Sequence, residues 1–244
     1  MTNQKTAIVT GASRGIGRTI AIQLAEAGYD LAICAHTNTA ALADVRRQIL
    51  ELGRQCLSFI GDIGNPVQVK NYFQQISQKY STIDILVNNA GISHVGLIQD
   101  MSDAEWNRIL QTNLSSVFYC CREAVSTMLS QKSGHIINIS SVWGNVGAST
   151  EVAYSATKGG VNALTRGLAK ELAPSHIQVN AIACGYIDTE MNQHLSTDEK
   201  IQLYDEIPAG RAGTPEDVAG MVLSLLTSPD YLTGQVISLD GSWI

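Results

Sequence analysis

The sequence predicts an α/β protein: a single-domain, doubly wound parallel sheet of seven strands with helices on both faces. Three observations carry that expectation. Short β-rich apolar runs alternate with stretches of helical apolar spacing along the chain, a rhythm that fits parallel strands joined by right-handed crossovers. A glycine-rich turn, Gly11-Ala-Ser-Arg-Gly15-Ile-Gly17, stands between the first strand and the first helix. And 244 residues at 45% hydrophobic content bury one full core, with no Pro/Gly/Ser linker to divide it.

The first strand is Thr6 to Thr10, and the helix after the glycine turn runs through Ile20, Ile22, Leu24 and Ala25 to Gly28. Strand, glycine loop and helix is the order that phosphate binding needs: the glycines let the backbone approach a diphosphate, whose charge then meets the free N–H groups of the helix start. The layout is Rossmann-like. The next strand, Asp30 to Ala35, ends beside the place of an adenosine ribose. No acidic residue stands at its tip to accept from a 2′-hydroxyl. The tip reads His36-Thr37-Asn38, with Arg14 on the same side, and donors without a repelling carboxylate favour a 2′-phosphate, hence NADP(H) over NAD(H).

Leu42, Val45, Ile49 and Leu52 give a helix from Asn38 to Gly53, followed by a strand from Gln55 to Ile60. Asp62, at that strand's end, would either accept from an adenine amino group or cap the helix beginning near Pro66. That helix reaches about Tyr80, and the strand Ile83 to Val87 leads into Asn88-Asn89-Ala90-Gly91, amides and small residues that let the chain pass close to a cofactor. One long helix is expected from Ser102 to Gln131, with Asn113 in its middle. Asparagine is a poor interior helix residue, so Asn113 either binds a water or kinks the backbone, or else simply faces solvent. The strand His135 to Ile139 ends in Ser140-Ser141, the strand Val179 to Ala183 leads to Cys184 and Gly185, and residues 190–211, polar and uneven, suit a mobile substrate lid with a helix starting at Ser196. A last helix from Pro215 to Leu226 and a last strand from Gly234 to Leu239 close the chain.

Composition narrows the function. The net charge of -6 is spread, without a basic run for nucleic acid or a Lys/Arg-rich amphipathic helix for a membrane. The five cysteines, Cys34, Cys56, Cys120, Cys121 and Cys184, show no metal-ligand spacing and fit reduced thiols in a cytoplasmic protein. Met1 to Lys5 is polar and has no signal-peptide layout.

The chemistry gathers on Tyr154-Ser-Ala-Thr-Lys158 with Ser141 upstream. On a helix through Val152, Val161, Leu164, Leu168 and Leu172, Tyr154 and Lys158 stand at i and i+4 and share a face. A free tyrosine has a pKa of about 10. A cation roughly 4 Å away interacts by about 4 kcal/mol at an effective dielectric of 20, enough to lower that pKa by at most ~3 units into the range of efficient proton transfer. Taken alone, the pair also fits an ordinary surface tyrosine and lysine.

With Thr10-Gly-x-x-x-Gly-Ile-Gly17, Asn88-Asn-Ala-Gly91, Asn113, Ser141, Tyr154-x-x-x-Lys158 and Gly185-Tyr-Ile-Asp-Thr189 in order, nearly the whole chain resembles the short-chain dehydrogenase/reductase family. Within it, Gly11-Ala-Ser-Arg14, Arg211-x-Gly-x-Pro-Glu-Asp-Val218, Thr233-Gly-Gln and Asp240-Gly241 are most similar to the bacterial 3-oxoacyl-[acyl-carrier-protein] reductases of fatty acid synthesis. The resemblance implies Tyr154 as the acid that protonates a carbonyl, Ser141 as the donor holding that oxygen, Lys158 as the partner of both Tyr154 and the nicotinamide ribose, and Asn113 as the holder of a water behind Lys158. It implies cofactor contacts at Gly11, Ser13, Arg14, Gly15, Ile16, Gly17, Asp62, Ile63, Asn89, Ala90, Gly91, Tyr154, Lys158, Gly185, Ile187 and Thr189. It also implies a homotetramer, with Ser102–Gln131, Val152–Leu172 and Gly234–Leu239 at interfaces. Two departures stand out: Cys184 replaces a common proline, and Lys132 and Ser175 stand where acyl-carrier reductases place arginines beside the active-site mouth. The run Ser141-Val-Trp143 to Glu151-Val also resembles bacterial reductases that act on a 5-aminopentanone group on a lysine of elongation factor P, in which Glu151 would pair with the substrate amine. A protein that only senses NADP(H) would have no need of the Asn/Ser/Tyr/Lys set.

Overall fold

The computed structural model describes residues 4–192 and 196–244. Seven strands, β1 (Thr6–Val9), β2 (Asp30–Ala35), β3 (Cys56–Ile60), β4 (Ile85–Asn88), β5 (Gly134–Ser141), β6 (Ile177–Cys184) and β7 (Val236–Leu239), form one sheet in the order β3-β2-β1-β4-β5-β6-β7. Every pairing is parallel. Strand order reverses between β1 and β4, the switch point at whose carboxyl edge such sheets bind ligands.

Because side chains alternate along a strand, the central strands feed two cores. Val9, Ile33 and Val87 pack under α1 (Gly15–Glu26), α2 (Thr39–Glu51) and, nearer the end of the chain, α9 (Pro215–Leu226). Ile8, Leu86 and Ile136 pack on the other side under α3 (Pro66–Lys79), α5 (Ser116–Gln131) and α7 (Val152–Leu172). Helices therefore cover both faces, as expected. Among the described residues no helix is long and apolar enough to cross a membrane.

The expected single helix from Ser102 to Gln131 is corrected. It is α4 (Asp103–Leu110), a wide π-type turn at Gln111–Ser115, then α5. Asn113 lies within that turn, buried, with its side chain bonded to the backbone of Ile92 rather than facing solvent. Two further helices complete the chain: α6 (Trp143–Val146) and α8 (Thr197–Glu206), the latter started by Ser196 in a reciprocal cap with Glu199. Residues 193–195 of the expected lid lie outside the described residues, as do 1–3 of the polar start.

Candidate active site

The carboxyl edge is stitched together before it can bind anything. Asn89 donates its amide to the carbonyls of Thr10 (3.0 Å) and Gly11 (3.1 Å), which pins the glycine loop to the end of β4. Deeper in, Asn88 bonds Asn138 (2.8 Å) and Asn138 bonds Thr165 (2.8 Å), while Ser140 and Asn162 tie β5 to α7 at 2.6 Å. Each of these amides bonds a neighbouring element, although Asn88 Oδ1 itself has no partner among the described residues, and the chain of bonds ties β4, β5 and α7 together.

Above this edge opens a cleft of about 800 Å³. Every site residue expected from the sequence lines it, except Asn113. At one end the loop Gly11–Gly17 leads into α1, whose N-cap residue Arg14 makes no side-chain cap and whose first turn carries no acidic residue. The N–H groups of that turn are thus left for an anion, which is the donor set a diphosphate requires. A nicotinamide dinucleotide fits these residues.

At the ribose end, β2 stops at Ala35 and His36, Thr37 and Asn38 are exposed, although Asn38 spends its side-chain oxygen on capping α2 through Ala41 N (3.1 Å). One expectation is corrected here. A carboxylate does stand beside Arg14: Glu190 comes from the start of the lid segment to pair with it at 2.9 Å. Asp62 does not cap α3. Asn65 does, through Val67 N and Gln68 N, while Asp62 Oδ1 accepts from Gly64 N at 2.8 Å and the residue lines the cleft with Ile63.

At the other end, Ser141, Tyr154 and Lys158 converge. Sheet register sets Ser141 opposite Cys184, and the Trp143 N–H donates to Ser141 Oγ at 3.2 Å, which leaves the serine hydroxyl proton for a third group. Tyr154 and Lys158 share one face of α7, with the ammonium 5.5 Å from the centre of the phenol ring. Lys158 is buried and donates to the carbonyl of Ile139 at 2.8 Å. Burial pushes its pKa down to about 8, against a smaller opposing influence of Cys184. Burial likewise pushes the Tyr154 phenol well above its usual value, with Cys184 and Glu151 adding to the rise and a hydrogen bond to Ser141 opposing it. The lowering expected from the lysine is therefore reversed in sign, because removing a phenolate from water costs more than the hydrogen bond to Ser141 returns.

Asn113 lies behind this group, 1% exposed. Its amide nitrogen donates to Ile92 O (2.8 Å) and Thr157 Oγ1 (3.3 Å), and its oxygen accepts from Ile92 N (2.8 Å), so one lone pair on that oxygen is left over. Gly91 separates it from Lys158: a Cβ on Gly91 would stand 3.4 Å from Asn113 Oδ1 and 3.8 Å from Lys158 Nζ.

The family model for short chain dehydrogenases matches residues 5–200. The chain belongs to the short-chain dehydrogenase family. Its relatives include the 3-oxoacyl-[acyl-carrier-protein] reductase FabG of Staphylococcus aureus, 41% identical over 97% of both chains. The oxidoreductase YmfI of Bacillus subtilis, itself uncharacterized, is 39% identical over 98% of both. Among solved structures, a provisionally assigned short-chain alcohol dehydrogenase of Sinorhizobium meliloti superposes with a TM-score of 0.91 at 36% identity, covering 100% of this chain and 97% of its own. This short-chain dehydrogenase is accordingly an oxidoreductase of the class that works with a nicotinamide cofactor.

Several cleft residues of this short-chain dehydrogenase carry no mark in the sequence. Arg108 of α4, Glu190 and Trp243 all line it, Trp243 meeting Trp143 edge to face at 5.0 Å. They arrive from separate elements with no shared spacing, so no local pattern singles them out. The placement of Lys132 and Ser175 beside the mouth is corrected as well. They precede β5 and β6, at the amino edge of the sheet, an eight-residue strand away from Ser141, which is about 25 Å.

Proposed function

We propose that the chain is an NADPH-dependent reductase of 3-oxoacyl thioesters, acting as one unit in the cytoplasm, with residues 190–192 and 196–211 covering the substrate end. The observation that carries this reading is the convergence of Ser141, Tyr154 and the buried Lys158 at one end of the cleft whose other end is the glycine loop. The cofactor supplies the hydride when bound. Ser141 holds the carbonyl oxygen of the substrate. Tyr154, kept protonated by its burial, gives that oxygen its proton, and the positive charge of Lys158 offsets the negative charge that grows there. A water on the remaining lone pair of Asn113 lies on the route by which Lys158 and Tyr154 regain a proton. NADPH oxidation with an acetoacetyl thioester tests the reading, and no turnover with that substrate would refute it.

Preference for NADPH rests on Arg14, His36 and Thr37, with Glu190 as the competitor that a 2′-phosphate must displace. Arg14→Ala should weaken NADPH binding at least fivefold and NADH binding much less, on fluorescence titration, while Glu190→Gln should tighten NADPH. Equal effects on both cofactors would refute the assignment. Phe118, Leu129 and Val152, exposed apolar side chains on α5 and α7, support these helices as faces of a homotetramer.

A second reading, reduction of the 5-aminopentanone group of elongation factor P, is favoured by one contact. Glu151 reaches the cleft, where Ser93 Oγ donates to it at 3.1 Å, and a substrate amine would find its counter-charge there. Glu151→Gln should then reduce kcat/KM for an amine-bearing ketone about tenfold and spare an acyl thioester; equal kinetics on the two would remove this reading.

A further inference from the structure

Tyr186 holds a hydroxyl for which the fold itself has no use. The residue follows Gly185 at the end of β6 and is 8% exposed, yet its oxygen has no hydrogen-bond partner among the described residues. The orphan does not come from a loose backbone. Tyr186 O accepts from Gly213 N at 2.9 Å, Asp188 N donates to Gly213 O at 2.9 Å, and Gly185 N donates to Leu239 O at 3.0 Å. Around the ring stand Leu203, Tyr204, Ile207, Ala212 and Trp243, with the Tyr204 ring 6.2 Å away. None of the aliphatic neighbours can accept a bond, and Tyr186, Leu203 and Trp243 line the same cleft as Ser141 and Tyr154.

A buried donor without a partner destabilises the fold that carries it, so a phenylalanine of the same shape would serve packing better. An apolar pocket containing one donor is instead suited to an apolar chain carrying one acceptor. We infer that Tyr186 is a specificity-determining residue that donates its hydroxyl to an uncharged acceptor on the substrate beyond the reacting ketone, the thioester carbonyl. This rests on the 3-oxoacyl reading above. An anionic acceptor is disfavoured, since the Asp188 carboxylate stands close enough to raise the pKa of the Tyr186 phenol.

Tyr186→Phe tests this in two ways on the full-length protein. Without substrate, removing the orphan should raise Tm by about 2 °C or more; a lower or unchanged Tm would mean the hydroxyl already has a partner, and would overturn the inference. With NADPH, the ratio of kcat/KM for an acetoacetyl thioester to that for a plain methyl ketone should fall about tenfold, most of it in KM. A ratio within twofold of the parent would equally overturn it. The two possible failures are distinguishable: a parent enzyme idle on the thioester refutes the substrate reading before any variant is made, whereas an unchanged ratio in Tyr186→Phe refutes the subsite alone.

Discussion

Tyr154→Phe is expected to reduce kcat by roughly a thousandfold, within the range a positioned general acid contributes, while the dissociation constant for NADPH moves by less than about threefold. The phenol is the acid nearest the place where Ser141 would hold a carbonyl, and burial keeps its proton on. Phenylalanine preserves the ring that packs against Lys158, so the loss is one of chemistry rather than shape. Steady-state NADPH oxidation and a fluorescence titration of the same preparation measure the two quantities. A variant turning over within tenfold of the parent would remove Tyr154 from the mechanism.

Gly17→Ala should cause the second large effect. A Cβ at this position would fall on Gly11 O and Asn89 Nδ2, the same two groups whose hydrogen bond ties the glycine loop to β4. Backbone cannot step aside cheaply, so the loop must move and the amide bond must break. Overpacking of this kind costs about 1–3 kcal/mol, or several degrees in Tm for a chain of this size. Because the displaced loop is the proposed seat of the diphosphate, NADPH affinity should fall at least tenfold. Gly220→Ala is the control, since nothing stands within 4 Å of a Cβ there and the residue lies inside α9; it should gain up to about 1 kcal/mol. Normal cofactor titration in Gly17→Ala would show that the loop does not depend on that close approach.

The features legible in the sequence are those that a local pattern records. Alternating apolar runs mark the seven strands, and the glycine loop between β1 and α1 announces its own geometry. The i, i+4 spacing by itself puts Tyr154 and Lys158 on one face of a helix. What stays hidden depends on distance in the chain or on burial. Arg14 and Glu190 are 176 positions apart, so a carboxylate beside that arginine leaves no trace in either segment. The sign of the Tyr154 shift follows from desolvation, which no spacing rule contains. Resemblance puts Lys132 and Ser175 at the mouth, and only the direction of β5 and β6 shows that they sit at the opposite edge. The π-type turn is visible only as an unexplained asparagine.

That turn governs the phase of everything after it. Five regular turns of 3.6 residues advance a helix by about 18 positions, so counting on from Ile109, which faces the core, an unbroken helix would direct Thr127 inward. The side chain that is buried is Met128, under Gly134. The wide turn at Gln111–Ser115 acts as a spacer, letting one face of α4 serve Ile109 and a later, rotated face of α5 serve Cys120, Cys121, Ala124 and Met128. A chain shortened by one residue in that stretch would bring Met128 into the eighteenth place after Ile109 and keep its aim on a regular helix, and what it would lose is the widened turn that seats Asn113.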